Sequence, residues 1–353
     1  MTDGVIGARL GKMIGLPPPY VVAYSGGADS TALLLMALEA APDKDKHGVS
    51  AVHVHHGLQA AADDFALHAQ AFCSERNVPL TVLRVNATAA AGQSPEDAAR
   101  KARYRAISEY FLKQKQQFPG TESAQSATDL GVLSPTVLLA QHADDQVETL
   151  LLALSRGAGV DGLAGMAAQF ERHGVQWARP FLMPEYFMGS QQIRAWLAQR
   201  GLAARQPGSA NLGQGWVEDP TNQSLDFTRN RIRAQLLPAL AQVFPQYRET
   251  FARSARNMGQ AGELLAQNAT VLIAAVGLPP RIKALQGLPK AQQANYLRHW
   301  LKTQHATMGS EAQMNELLDQ VAACTTRGHR IQIKLGAGFV LREGETLRFE
   351  AAP

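Results

Sequence analysis

The chain has little of what marks a secreted, membrane-bound or metal-stapled protein. Only two cysteines, Cys73 and Cys324, occur among 353 residues. So distant a pair makes no CxxC, no zinc signature and no disulfide framework, which points to a reducing, cytoplasmic setting. Long apolar runs are missing as well. The most apolar stretches, residues 132–140 and 150–154, fall far short of the roughly 20 residues a spanning helix needs, so no membrane partner is expected. The N-terminal MTDGVIGARLGKMIGLPPPY has no apolar core segment, and no signal peptide is expected there. There is no internal repeat and no heptad array. Neither sign of charge dominates: 34 Lys and Arg stand against 30 Asp and Glu, a net +4. That mild basic excess suits a polyanionic partner without requiring one.

What is present is the composition of a soluble globular protein, 46% hydrophobic and 18% charged. The length exceeds that at which one hydrophobic core usually stops growing, so two domains are expected. The basic residues are unevenly placed. Residues 229–256 carry Arg229, Arg231, Arg233, Arg248, Arg253 and Arg256 against a single acid, Glu249. Such a cluster suits phosphate contacts, although a solvated helix face has the same composition.

Strand-like and helix-like runs alternate through the first half. Strands are expected at 20–24, 49–55, 80–85 and 136–141, with helices at 31–40, 63–76, from about 94 to 111, and 144–154. That alternation predicts an α/β fold, a parallel sheet with crossover helices on its faces, whose ligands lie beyond the carboxyl ends of the strands. Residues 116–134 and 206–215 are polar, small and aperiodic, and read as loops. From Thr228 the pattern turns helical. The segments 288–304 and 313–324 then read as two helices, followed by short strands (IQIKL, GFVLR, TLRFE) within 330–349. The expected plan is an α/β domain over 1–225, a helical segment over about 226–285 and a small mixed α/β unit over 286–353.

The sharpest local feature is VVAYSGGADS, residues 21–30. A buried strand runs into Ser25, Gly26, Gly27, Ala28, Asp29 and Ser30, and a helix follows at once. Adjacent glycines let the backbone approach a ligand closely, and successive N–H groups at a helix N-terminus form an anion cradle. Ser25 and Ser30 add hydroxyl donors. The loop is not the Walker type, because no lysine is present. Asp29 cannot sit as a bare anion against phosphates, so it holds Mg²⁺ or orients the loop. An ordinary strand–turn–helix with a polar cap has the same residue types.

SGGADS resembles the SGGxDS loop of the N-type ATP pyrophosphatases, the PP-loop superfamily, which cleave ATP between the α- and β-phosphates. The resemblance implies a Rossmann-like domain of the adenine nucleotide alpha hydrolase kind. Four further segments are similar to the tRNA(Ile)-lysidine synthetase family. AVHVHHGL (51–58) is similar to its second-strand motif, with His55 in place of Asp or Asn and Gln59 in place of Arg. PEDAARKARY (95–104) resembles its E-x-x-A-R-x-x-R-Y helix, where Glu96, Arg100 and Arg103 share a face. LAQHADDQVETLLLALSRGAGVDGLAGM (139–166) is similar to its H-x-x-DD-Q-x-E-T block. DPTNQSLDFTRNRIRAQLLP (219–238) resembles D-x-[ST]-N…RN-x-[IL]-R. LPKAQQANYLRHWL (288–301) looks, more weakly, like the family's first C-terminal domain, and residues 226–353 are expected to bind tRNA. The second C-terminal domain of longer relatives is not expected.

The resemblance implies an ATP- and Mg²⁺-dependent ligase. It would adenylate the wobble cytidine of tRNA(Ile) with a CAU anticodon and join L-lysine to it. Decoding would then change from AUG to AUA and aminoacylation from Met to Ile. By the same resemblance Asp29, Asp145, Arg229 and Arg233 are expected to be catalytic. Ser25 to Ser30, His55, Arg100 and His142 are expected around ATP, and Glu148, Arg156, Gly157 and Asn230 around the other substrates. Asp29 and Asp145 are expected at Mg²⁺. The residues alone leave simpler roles open: acids as helix caps, and Arg156 and Gly157 as a helix terminator. His53, His55 and His56 alternate faces along a strand, which makes a shared metal sphere poor geometry. A homodimer is left open. The alternatives are a tRNA thiolase of the same fold, which should place cysteines near the loop, a small-molecule ligase, and a noncatalytic RNA-binding relative.

Overall fold

In the computed structural model the described residues are 19–40, 48–56, 61–85, 95–117 and 135–352. The first 18 residues, Gln59, Ser94 and the expected loop from 118 onward to 134 lie outside them. Contacts divide the chain into Met1–Arg256 and Asn257–Pro353.

The first unit is built on a six-stranded sheet of order β3-β2-β1-β4-β6-β5. Strands β1 (Tyr20–Ala23), β2 (Val49–His55), β3 (Leu80–Arg84) and β4 (Thr136–Leu138) are joined by α1 (Ala28–Ala40), α2 (Ala61–Ser74) and α3 (Pro95–Gln117). All four strands pair parallel. Val21 and Val22 of β1, and Val137 and Leu138 of β4, are buried, as expected when helices cover both faces of a parallel sheet. The chain winds outward from β1 to β3, then returns to place β4 on the other side of β1. That reversal is a topological switch point, where the carboxyl ends of β1 and β4 open a crevice.

The sheet is larger than the sequence reading expected. A hairpin of β5 (Gln169–Arg172) and β6 (Val175–Ala178) extends it, with β6 parallel to β4 and β5 antiparallel at the edge. Its two-residue turn, His173 and Gly174, has φ of 52° and 72°, the positive pair that matches strand twist in a tight hairpin. Strand β4 is also shorter than expected, because residues 139–141 leave the ladder on their way to α4 (Ala143–Leu154). Helix α5 (Ser190–Ala198) packs Ile193, Trp196 and Leu197 into the α1 core. The loop at 206–215 is irregular as expected, and it separates the two short strands β7 (Ala204–Arg205) and β8 (Trp216–Val217).

The helical region begins with α6 (Thr228–Arg231), a π-turn over Ile232–Leu236, and α7 (Leu237–Val243). Pro238 supplies the physical reason: it has no N–H to donate to the carbonyl four residues back, and its ring crowds that carbonyl. The contacts divide the chain at Arg256, further along than the boundary expected after residue 225. Ile232, Leu237 and Tyr247 pack on Val147 of α4, so the start of the helical segment belongs to the first unit's core.

In the second unit α9 (Ile282–Gln286), α10 (Lys290–His305) and α11 (Glu311–Ala323) cover a three-stranded antiparallel sheet, order β11-β10-β9. Its strands are β9 (Gln332–Leu335), β10 (Gly338–Glu343) and β11 (Thr346–Ala351). Trp300, Leu301, Leu317, Val340 and Leu347 form its own core. Helix α8 (Tyr247–Val276) contains the division between the units. Among the described residues no helix is long and apolar enough to cross a membrane.

Candidate active site

The crevice at the switch point is a cleft of about 620 Å³. One wall is the Ser25–Ser30 loop. Gly26 takes φ +87°, which a side chain resists, and its carbonyl accepts the Val217 N–H at 2.9 Å. The Ser25 and Ser30 hydroxyls lie 2.9 Å apart, and the Ser30 hydroxyl donates to the Gly27 carbonyl at 3.1 Å. The loop is thus held open by its own side chains ahead of α1. Asp29 lies in the first turn of that helix, and its Oδ1 is buried without a hydrogen-bond partner among the described residues.

The opposite wall begins where β4 ends. His142 is the N-cap of α4, and its backbone N–H donates to Asp145 Oδ2 at 3.0 Å. Its ring lies between the two acids expected at the catalytic centre, with Nε2 3.6 Å from Asp29 Oδ2 and Nδ1 3.7 Å from Asp145 Oδ2. Burial alone would discharge this imidazole. Asp145, Asp29 and Asp144 outweigh it and raise the pKa to about 9. Asp145 Oδ1 accepts from Arg233 at 2.8 Å. Glu148 is fully buried and receives Arg233 Nε at 2.5 Å, with Arg229 Nη1 at 3.7 Å. Burial pushes the Glu148 carboxyl up against the pull of Arg233, and the Arg233 guanidinium is held firmly protonated by these two acids despite its burial. Arg229 and Arg233, four residues apart, both reach Glu148.

Asp144 differs from its neighbour. It accepts from Ser190 N–H at 2.8 Å, Tyr247 hydroxyl at 3.1 Å and Arg248 Nε at 2.6 Å, so it ties three helices together. Although burial pulls upward, the Ser190 N–H and Arg248 hold its carboxyl below the usual range.

Several expected site residues stand elsewhere. Arg100 pairs with Asp97 at 2.5 Å and does not line the cleft, whereas Arg103, three residues on, does. Arg156 and Gly157 are exposed in the turn that ends α4, Gly157 with φ +66°, and they too are absent from the cleft lining. Asn230 lines the cleft, but its Nδ2 donates to the carbonyls of Thr221 and Ser224, which shapes the 220–224 turn. His55 lines the cleft and contacts Asp63 at 3.0 Å. Asp145 spends both oxygens within the protein, so the carboxylate that fits a cation is Asp29. Among the described residues no cluster of three His, Cys, Asp or Glu side chains suits a metal ion. The side chain of Glu96 lies outside the described residues.

The cleft also gathers residues that sequence reasoning did not single out: Gln141, Arg194, Glu218 and Phe227. Arg194 donates to Glu218 at 3.1 Å, a pairing between distant segments with no local signature. The arginine cluster turns largely inward. Arg229 and Arg233 face Glu148, Arg248 binds Asp144, and Arg231 donates to the Leu225 and Asp226 carbonyls. Arg231, Arg233, Arg253 and Arg256 remain exposed, the last two without a carboxylate partner among the described residues.

Comparison with known proteins agrees with this arrangement. A family profile described as the PP-loop domain matches residues 17–240, and one described as the TilS substrate binding domain matches 281–348. The tRNA(Ile)-lysidine synthase of Polaromonas naphthalenivorans is 50% identical over 334 residues, covering 95% of this chain and 90% of that protein. The Bordetella pertussis protein of the same name is 38% identical, covering 89% of each chain. That of Pseudomonas fluorescens is 38% identical over 80% of this chain and 57% of its own length. A solved U34-tRNA thiolase, NcsA from Methanococcus maripaludis, superposes with a TM-score of 0.52 over 72% of this chain and 77% of that one. At 12% identity it shares the fold. With its phosphate loop, its acid–arginine network and its second unit all matched, the chain belongs to the tRNA(Ile)-lysidine synthase family.

Proposed function

We propose that this chain joins L-lysine to the wobble cytidine of tRNA(Ile) with a CAU anticodon, cleaving ATP to AMP and pyrophosphate. The observation that carries the reading is one cleft holding both the Ser25–Ser30 loop and the Asp145–Glu148–Arg229–Arg233 network.

The loop's N–H groups and the α1 N-terminus receive the ATP phosphates. Asp29 is the residue that would hold Mg²⁺, since its buried Oδ1 lacks a partner and such ions are commonly shared between one carboxylate, phosphates and water. When bound, the ion neutralises charge developing on the phosphates. The base oxygen of the cytidine attacks the α-phosphorus and pyrophosphate departs, leaving an adenylated base. The lysine amine then displaces AMP. Arg229 and Arg233 stand ready to stabilise phosphoryl charge, preoriented by Glu148 and Asp145, and such positioned charges contribute several kcal/mol, on the order of 3 each. Asp145 serves here by fixing His142 and Arg233. The second unit and the exposed Arg253 and Arg256 supply surface for the tRNA, and a cytoplasmic location follows from that substrate.

A thiolase reading is less well supported by the cysteines. Cys73 is buried, with its thiol pushed up to about 12 by burial, and Cys324 is buried in the second unit. Neither lines the cleft that holds the Ser25–Ser30 loop. The test is incorporation of radiolabelled lysine into CAU-anticodon tRNA(Ile) by wild type and Asp29→Ala. Label that enters only with ATP, and not in the variant, supports the reading. Pyrophosphate release without incorporation would move the acceptor elsewhere.

A further inference from the structure

At the carboxyl end of β4 the cleft is lined by Gln141, whose amide is held in one orientation from behind. Gln141 Oε1 accepts from Arg179 Nε at 3.1 Å. A guanidinium has only donors, so this contact settles which end of the amide is oxygen. Arg179 itself cannot turn away. It is 8% exposed, with Nη1 donating to the Ala167 carbonyl at 2.6 Å and Nη2 to the Tyr104 hydroxyl at 3.0 Å. Its guanidinium lies 4.3 Å over the Phe170 ring. Tyr104 is packed edge-on against Trp177 at 4.7 Å. No carboxylate pairs with Arg179 among the described residues, so this buried cation is placed by carbonyl, hydroxyl and ring contacts.

Arg179 thus holds the Gln141 oxygen on its own side, and Gln141 Nε2 has no protein partner among the described residues. The two Nε2 donors are therefore left free. The neighbouring wall is apolar, formed by Ala23, Val52, Val54, Leu139 and Ala140, whereas the phosphate loop lies beside it at Ser25–Ser30. A flat nucleobase suits the apolar wall, and donors beside it suit a ring nitrogen or ribose oxygen. We infer that Gln141 binds the nucleoside half of ATP through its Nε2 donors, and that Arg179 is the positioning residue that orients them. The inference rests on the ATP-binding reading of the cleft and is independent of lysine or tRNA.

The test is calorimetric binding of ATP, AMP and inorganic pyrophosphate to wild type, Gln141→Glu, Gln141→Leu and Arg179→Met. Loss of one hydrogen bond predicts ATP and AMP binding weakened about tenfold in each variant, with pyrophosphate unchanged. Gln141→Glu keeps a partner for Arg179 and its shape, so it reports on lost donors with the fold intact. The double variant Gln141→Leu/Arg179→Met should bind AMP no worse than Gln141→Leu alone, because the two act as one unit. Wild-type AMP affinity in both Gln141 variants overturns the inference, as does equal weakening of pyrophosphate. Additive losses in the double variant overturn the positioning role of Arg179. Failure of the lysine-ligation reading would leave all of these measurements standing.

Discussion

Asp144 and Asp145 are adjacent, identical in type and both at the start of α4, yet the structure divides fold from chemistry between them. Replacing Asp144 by Ala removes an acceptor from three donors on two other helices. Tyr247 is 1% exposed, so its hydroxyl finds no water once the acceptor is gone, at a cost of about 1–3 kcal/mol. The Ser190 N–H loses its acceptor at the first turn of α5, adding about 1 kcal/mol. Arg248 is 28% exposed and recovers most of its hydration. The sum is about 2–4 kcal/mol, a large part of the roughly 5–15 kcal/mol that holds a typical protein folded. Asp145→Ala loses a cap contact and a bond to an arginine that is 40% exposed, worth about 1 kcal/mol in stability. Urea denaturation followed by tryptophan fluorescence reads the first quantity, and ATP-dependent lysine incorporation the second. The expected pattern is an unstable Asp144→Ala and a well-folded, inactive Asp145→Ala. Equal stability losses in the two variants, or an Asp144→Ala within about 1 kcal/mol of wild type, would refute the division.

Acid should weaken the fold through His68. Its ring is fully buried, Nδ1 accepts the Gly213 N–H at 3.3 Å, and burial, then Arg205, push its pKa down to about 4 from 6.5. The unfolded chain takes a proton that the fold refuses, so stability is intact above 6.5 and falls toward pH 4, by about 2 kcal/mol at pH 5. Urea midpoints across that range should flatten in His68→Gln, and an equally steep slope there would exclude His68 as the source. Gly26→Ala imposes a side chain on φ +87°, a strain of about 1–3 kcal/mol. Calorimetry should show weakened ATP binding, and unchanged affinity would mean the loop does not use that conformation to hold phosphate. Pro238→Ala returns an N–H to the helix and removes the ring that opposes an α-turn. Arg233 should lose register with Glu148, lowering lysine incorporation with little change in thermal stability. Undiminished incorporation would show that the π-turn does not place Arg233.

The parallel half of the fold was legible because buried strands are short continuous apolar runs, and YVVA and VSAVHVH both stand out against their helices. The phosphate loop was legible because two adjacent glycines after a strand have few other uses. The β5–β6 hairpin escaped the reading although its turn was in plain sequence. His-Gly is a weaker signal than Asn-Gly, and Phe170 and Trp177 flank it within a segment that alternates poorly. Helix α5 escaped as well, and with it Arg194, whose arrival opposite Glu218 depends on how α5 packs against α1. Arg100 was preferred over Arg103 on motif grounds. Three residues of helix turn Arg100 to Asp97, and only the cleft's position decides which of the two matters.

The arginines between 229 and 256 show where residue type stops and geometry begins. Their count suggested a surface for polyanions, yet Arg229, Arg233 and Arg248 are drawn inward by Glu148, Asp145 and Asp144. Glu148 and Asp144 are buried and Asp145 is half-buried, and a buried carboxylate left alone costs far more than one that recruits a cation. The acids of the 139–166 motif thus fix Arg229 and Arg233 of the 219–238 motif. Arg229 and Arg233 enter the cleft already oriented, so an arriving phosphate meets charges whose ordering entropy was spent during folding. The sequence separation of the pair, 85 residues from Glu148 to Arg233, makes that preorganisation a property of the tertiary fold.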